Sequence, residues 1–154
     1  MSAPAEGRRP DDPTIVDDDD LLRRVPNWPM MVTTESDGKL RPTSAALDLR
    51  RDLGETGCSV DIQARLSDPE HPLTVLAGHP AEWGLATCTA GDARSDDTHR
   101  VVGEPLPDDP AHAEVIPVAT TRKAQKRNFK ALAERMRFLR DPVMATPDVA
   151  APTD

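Results

Sequence analysis

The chain has 154 residues with 16 Pro, two Trp, two Phe, no Tyr and a net charge of −8. That length holds one hydrophobic core, and Leu, Val, Ile, Met and Ala must fill it. Cys58 and Cys88 lie too far apart for a CxxC metal site and are too few for a disulfide framework. No apolar run has the length of a membrane span or the form of a secretory leader. A reduced, cytoplasmic protein that does not enter membranes is therefore expected. Arg far outnumbers Lys among the 19 basic residues, a composition expected of a GC-rich bacterial or archaeal genome.

Residues 1–16 carry Pro4, Pro10 and Pro13 among small and charged side chains, and residues 142–154 are similarly poor in large apolar groups. Such segments bury too little surface to offset their ordering entropy. Both are expected to be disordered tails around a single domain at residues 17–141. The Asp run 17–20 marks its edge, because four like charges stay solvated. It lacks the alternating ligands and glycine bend of a calcium loop.

Residues 21–25 read as a short strand or a helical turn ended by Pro26. Met30, Met31, Val32, Thr33 and Thr34 are β-prone, and Ser36-Asp37-Gly38 is a turn signal. Residues 59–64 alternate apolar Val60, Ile62 and Ala64 with polar neighbours, which predicts a strand with one buried face. Residues 72–76 suit one helical turn. Residues 83–89 read as a buried strand, 91–98 as a polar loop and 100–102 as a short strand. Residues 114–118 predict an edge strand, since Pro117 cannot donate to a ladder.

The last element is expected to be a helix over residues 120–140, capped by Thr120 or Thr121 and ended by Pro142. Phe129, Leu132, Met136 and Leu139 share one face at helical spacing. Lys123, Arg127, Lys130 and Arg137 fall opposite, with Lys126 at the border and Phe138 beside them. The segment holds eight Lys or Arg against the one acid Glu134, a net of +7 that leaves −15 for the rest. The chain thus has a basic pole on an acidic body. The expected fold is α+β: a small, mostly antiparallel sheet packed by this C-terminal amphipathic basic helix.

Four groups of residues carry a family likeness. Leu22-Arg23-Arg24, Arg41-Pro42-Thr43-Ser44-Ala45-Ala46-Leu47, Ser59-Val60-Asp61 and Pro110-Ala111-His112-Ala113 appear in that order. In these the chain resembles a group of small uncharacterised bacterial proteins with L-R-R, R-P-S-S-x-A-F, L-S-V-D and N-P-A-H-A motifs. Thr43, Leu47 and Asp109 stand where Ser, Phe and Asn are usual in that group. The resemblance implies a shared fold and no catalytic residues.

Two functional readings follow. An Arg on an early strand, a Thr43-Ser44 pair and a late Glu114 are similar in order to ADP-ribosyltransferase-like folds. That likeness implies an NAD-using enzyme of toxin or defence type, with Arg24 gripping the cofactor, Ser44 shaping a pocket and Glu114 stabilising a ribosyl cation. The same residues also read as surface charges paired with the Asp run and as a turn cap. His112 is a further candidate, with a hydrogen-bonding structural role as its alternative. The four histidines lack metal-ligand spacing, so no metal and no cofactor are expected. Cys88 sits in an apolar run, where a thiol packs and does not react.

The other reading makes the basic helix the working part. Lys123, Lys126, Arg127, Lys130, Arg137 and Phe138 would bind a protein or nucleic-acid partner, phosphates at the cations and a base at the ring. The same charges also suit neutralisation by the acidic body, or a pole-to-body contact in a homo-oligomer. An interaction module without catalysis is the first expectation.

Overall fold

In a computed structural model, residues 9–50 and 53–145 are described. Among the described residues, eight strands in two sheets and two α-helices make an α+β arrangement. The strands are β1 (Asp20–Val25), β2 (Val32–Thr34), β3 (Leu40–Pro42), β4 (Cys58–Ile62), β5 (Gly84–Thr89), β6 (His99–Gly103), β7 (His112–Pro117) and β8 (Arg137–Arg140). The helices are α1 (Ala90–Arg94) and α2 (Arg122–Ala133). The main sheet runs β6-β7-β4-β1-β5-β8 with every neighbouring pair antiparallel, and β2 pairs β3 in a small hairpin.

Alternation along the strands divides the main sheet into two faces. Leu21 and Val25 of β1, Val60 and Ile62 of β4, Ala86 of β5 and Val115 of β7 enter one core with Phe129, Leu132 and Ala133 of α2. Leu22, Leu76 and Leu85 form a smaller cluster, against which Leu66, Trp83 and Leu139 pack. A 3-10 turn, Pro72–Leu76, supplies Leu76 and Val75 to this second cluster. Both faces of the sheet are therefore covered in part.

Several expectations need correction. The helix expected over 120–140 begins at Arg122, with Thr121 as its cap, and ends at Ala133. Arg137 and Phe138, placed on that helix by periodicity, lie on β8, which pairs the edge of β5 through Ala86↔Phe138 and Thr87↔Arg137. Pairing an otherwise open strand edge outweighs continuing the helix. The loop expected at 91–98 contains α1, held by a capping box in which Thr89 and Asp92 exchange backbone and side-chain hydrogen bonds. The strand expected at an edge, β7, is interior, between β4 and β6. Pro117 is tolerated because it is the last residue of that strand.

The N-terminal boundary also moves. Of the residues expected in a tail, 9–16 lie against the body, and Ile15 is only 1% exposed. Asp12 N–H donates to the Val101 carbonyl at 3.0 Å and the Asp11 carboxylate accepts from Val101 N–H at 2.8 Å. The arm thus occupies the free edge of β6. Of the expected C-terminal tail, Pro142 is buried and Val143 N–H donates to the Glu82 carbonyl at 2.8 Å. The remaining parts of the expected tails, 1–8 and 146–154, lie outside the described residues. Among the described residues, no helix is long and apolar enough to cross a membrane.

Candidate functional site: a carboxyl-paired cleft and a cationic surface

Register gathers the polar members of three strands on the face away from α2. Asp61 on β4 stands opposite Leu22 on β1 and His112 on β7, and Ser59 stands opposite Glu114. Arg24, two residues beyond Leu22, joins them on the same face. The Pro72–Leu76 turn and the loop between β6 and β7 wall this face into a cleft of about 610 Å³. Arg24, Ser59, Asp61, His79, Asp109 and His112 line it. Three separate segments, Leu22-Arg23-Arg24, Ser59-Val60-Asp61 and Pro110-Ala111-His112-Ala113, therefore meet at one place.

Asp61 is the floor of the cleft. Its Oδ2 accepts from Arg24 Nη2 at 2.9 Å, while Arg24 Nε donates to the Val75 carbonyl at 2.8 Å. Its Oδ1 is shut off from solvent and has no donor among the described residues. The Asp109 carboxyl is its acidic neighbour. Burial first, then this second carboxyl, push the Asp61 carboxyl up to about 7, against the opposing pull of Arg24.

His112 is fixed from both sides. Its Nδ1 lies 2.9 Å from the Glu104 carbonyl, so this nitrogen carries the proton and donates. Its Nε2 lies 3.2 Å from the Ser59 hydroxyl. Glu104, His112 and Glu114 bring their ligating atoms close enough together to hold a cation. Arg9 of the N-terminal arm already bonds both carboxylates, and its guanidinium supplies the positive charge there.

The residues of the transferase-like trio do not converge. Arg24 lines the cleft and Glu114 lies farther along the same face, tied to Arg9. Ser44 starts the 3-10 turn Ser44–Ala46, which packs against α2. It lines a separate recess of about 230 Å³ with Thr43, Arg41 and Lys130. Arg23 is also structural: its guanidinium donates to the carbonyls of Ala46 and Ser59 at 3.0 and 2.9 Å. Cys58 and Cys88 are buried in the α2-side core, and burial pushes both thiols up.

The basic residues of α2 occupy a different surface. Lys123, Lys126, Arg127 and Lys130 are exposed on the helix, and Arg137 is exposed on β8. None of them enters an ion pair among the described residues. Asp17 of the acidic run pairs with Arg94 at 2.8 Å. Phe138 is half-buried against the core.

No family model, no curated protein and no solved structure matches this chain.

Reading the residues alone had missed Asp61, Asp109 and Ser59 as a site. The strand pattern at 59–64 suggests a solvated polar face, and Asp61 follows that pattern. A covering turn turns the polar face into a cleft wall, and a turn's docking position leaves no trace in strand periodicity. Asp108-Asp109 is the one local signal: two acids between prolines at a tight Leu106↔Asp109 turn.

Proposed function

We propose that the chain is a cytoplasmic binding module that engages an acidic protein partner through Lys123, Lys126, Arg127 and Lys130 of a basic, amphipathic α2, with Arg137 on the neighbouring strand. One observation carries this reading: these exposed cations have no carboxylate partner among the described residues. Neutralisation by the chain's own Asp run would have tied up such charges. The apolar side of the helix supports the same reading, since Phe129, Leu132 and Ala133 are buried and hold the charged side outward.

An acidic protein is favoured over nucleic acid by the position of Phe138. Its ring packs against the core, so the surface offers cations without the aromatic platform that stacks bases. Fluorescence anisotropy with a labelled poly-glutamate 20-mer and with a labelled dT 20-mer tests the choice. Tighter binding of poly-glutamate, lost in the Lys123→Glu/Lys126→Glu/Lys130→Glu variant and weakened by salt, is expected. Tighter binding of the dT oligomer would replace the protein partner with nucleic acid. Unchanged affinity for both probes in the triple variant would end the basic-surface reading.

A further inference from the structure

The β4–β7 wall of the cleft brings a serine hydroxyl to an imidazole nitrogen. In the antiparallel register Ser59 faces Glu114 and Asp61 faces His112, so Ser59 and His112 are diagonal neighbours on one face of the sheet. The Ser59 Oγ lies 3.2 Å from His112 Nε2 and has no other hydrogen-bond partner among the described residues. A hydroxyl that only fills its strand position can take a backbone carbonyl, as the Thr87 hydroxyl does with Leu21 at 2.9 Å. Ser59 instead faces a side chain that can accept and return a proton.

His112 is held for that use by a third group. Its Nδ1 donates to the Glu104 carbonyl at 2.9 Å, and the Glu104 carboxylate lies 3.8 Å from the same nitrogen. With the proton on Nδ1, Nε2 of a neutral imidazole carries the lone pair, and that is the nitrogen beside Ser59. A hydroxyl, a base within hydrogen-bond reach and a group that orients the base are the parts of an activated nucleophile.

The cleft supplies the rest of such a site. Ser59, His112 and Arg24 all line it, and its volume of about 610 Å³ is in the range of small-molecule sites. Arg24 donates through Nε to the Val75 carbonyl and through Nη2 to Asp61, which leaves Nη1 without an acceptor among the described residues. A spare guanidinium N–H in the same cleft is suited to an oxygen on which negative charge develops.

We propose that Ser59 and His112 are the nucleophile and the general base of an esterase site for small carboxylic esters. Ser59 Oγ adds to the acyl carbon as its proton passes to His112 Nε2, and the carbonyl electron pair becomes an oxyanion to which Arg24 Nη1 donates. Collapse of the oxyanion breaks the bond to the alcohol oxygen, which takes the proton from Nε2 and leaves as the alcohol. Water then adds to the acyl-serine carbon, giving its proton to Nε2. Ser59 Oγ departs with that proton and the carboxylic acid is released. Ester and water are consumed, acid and alcohol are formed, and no oxidant or metal enters the balance.

The test uses the full chain at pH 8 with p-nitrophenyl acetate as substrate and a fluorophosphonate as a serine-directed reagent, located by peptide mass spectrometry. Modification is expected at Ser59, where Oγ displaces fluoride from phosphorus. Ser59→Ala and His112→Gln are each expected to lower kcat/KM for the ester at least about 100-fold. Ser67→Ala, at an exposed serine of the same cleft, is expected to change neither readout. Ser59→Ala removes only one oxygen, so it reports even where His112→Gln fails to fold. No modification of Ser59 at millimolar reagent overturns the proposal, as does equal modification of Ser67. Ester hydrolysis undiminished in Ser59→Ala overturns it too. Lys123→Glu/Lys126→Glu/Lys130→Glu leaves both readouts unchanged, which separates this site from the basic-surface reading.

Discussion

Arg24 and Asp61 form a 2.9 Å ion pair across neighbouring strands, in which the cation is 28% exposed and the carboxylate 2%. The inequality decides what each partner needs. Arg24 can recover water when its partner is lost, and Asp61 cannot. Arg24→Met is therefore expected to destabilise by about 3 kcal/mol at pH 8, the scale for orphaning a buried charge. At pH 5 the Asp61 carboxyl is protonated with or without Arg24, so the loss shrinks to packing and the Val75 hydrogen bond. Urea unfolding midpoints at the two pH values measure the difference. Equal losses at both would show that Asp61 is not the group that Arg24 serves.

Asp61 and His99 give the chain two opposing pH slopes. The Asp61 carboxyl is pushed up to about 7 in the fold, from 3.8 unfolded. The folded state then holds a proton that the unfolded chain has lost, and stability at this site falls as pH rises through that interval. His99 is 2% exposed and stacked on Phe129 with centroids 4.8 Å apart. Burial lowers its imidazole to about 4 from 6.5, so stability at this site is full above 6.5 and falls as pH drops toward 4. The interval corresponds to up to about 3 kcal/mol. Asp61→Asn is expected to leave a net rise in stability from pH 4 to 6.5, and His99→Phe a net fall from pH 4 to 7. Thermal melts of both variants across this range check the signs, and a His99→Phe profile that still rises from pH 4 to 6.5 would refute the assignment.

The N-terminal arm is part of the fold. Ile15 joins the main core, and Asp11 and Asp12 take up the backbone groups of Val101 at the free edge of β6. Ile15→Ala removes a fully buried side chain and is expected to cost about 2–5 kcal/mol. An arm that merely drapes over the surface would cost a few tenths. Chemical denaturation of the full chain distinguishes the two.

What the residues disclose and what they conceal follows from the range of the interactions. β4 was legible from Val60 and Ile62, because period-two alternation is local. The strand ends at Ile62, however, residues 63–65 form a 3-10 turn, and Asp61 on the expected polar face is buried. β5 was legible from its uncharged run. Thr121 was legible as a cap, since a cap needs only its own turn. The end of α2 was not. Glu134, Arg135 and Met136 contain no Gly or Pro, and Met136 falls where helical spacing wants an apolar residue. The break is imposed by the open edge of β5, a partner 52 residues away in the chain (Ala86 with Phe138). Asp61 was hidden for the same reason. Its neighbours come from two other parts of the chain, Arg24 from one and Asp109 with His112 from the other, and no spacing rule joins them to Asp61.

The β5–β8 edge gives the last prediction, at Gly84. A Cβ built there would stand 2.7 Å from Pro142 Cδ and backbone nitrogen and 2.8 Å from the Arg140 carbonyl. Two of these contacts are backbone atoms, which cannot rotate aside as a flexible side chain can. Gly84→Ala must therefore push the end of β8 away from β5, at a cost of about 1–3 kcal/mol. Gly38→Ala is the contrasting control. Nothing lies within 4 Å of its Cβ position, and its penalty comes only from a φ of +88°. Hydrogen exchange is the deciding readout. In Gly84→Ala the amides of β8 should lose protection while those of β1 and β4 keep theirs. In Gly38→Ala the change should stay within the β2–β3 hairpin. Intact β8 protection in Gly84→Ala would mean that residues 137–140 do not pair with β5, and the helix expected there from periodicity would return as the better account.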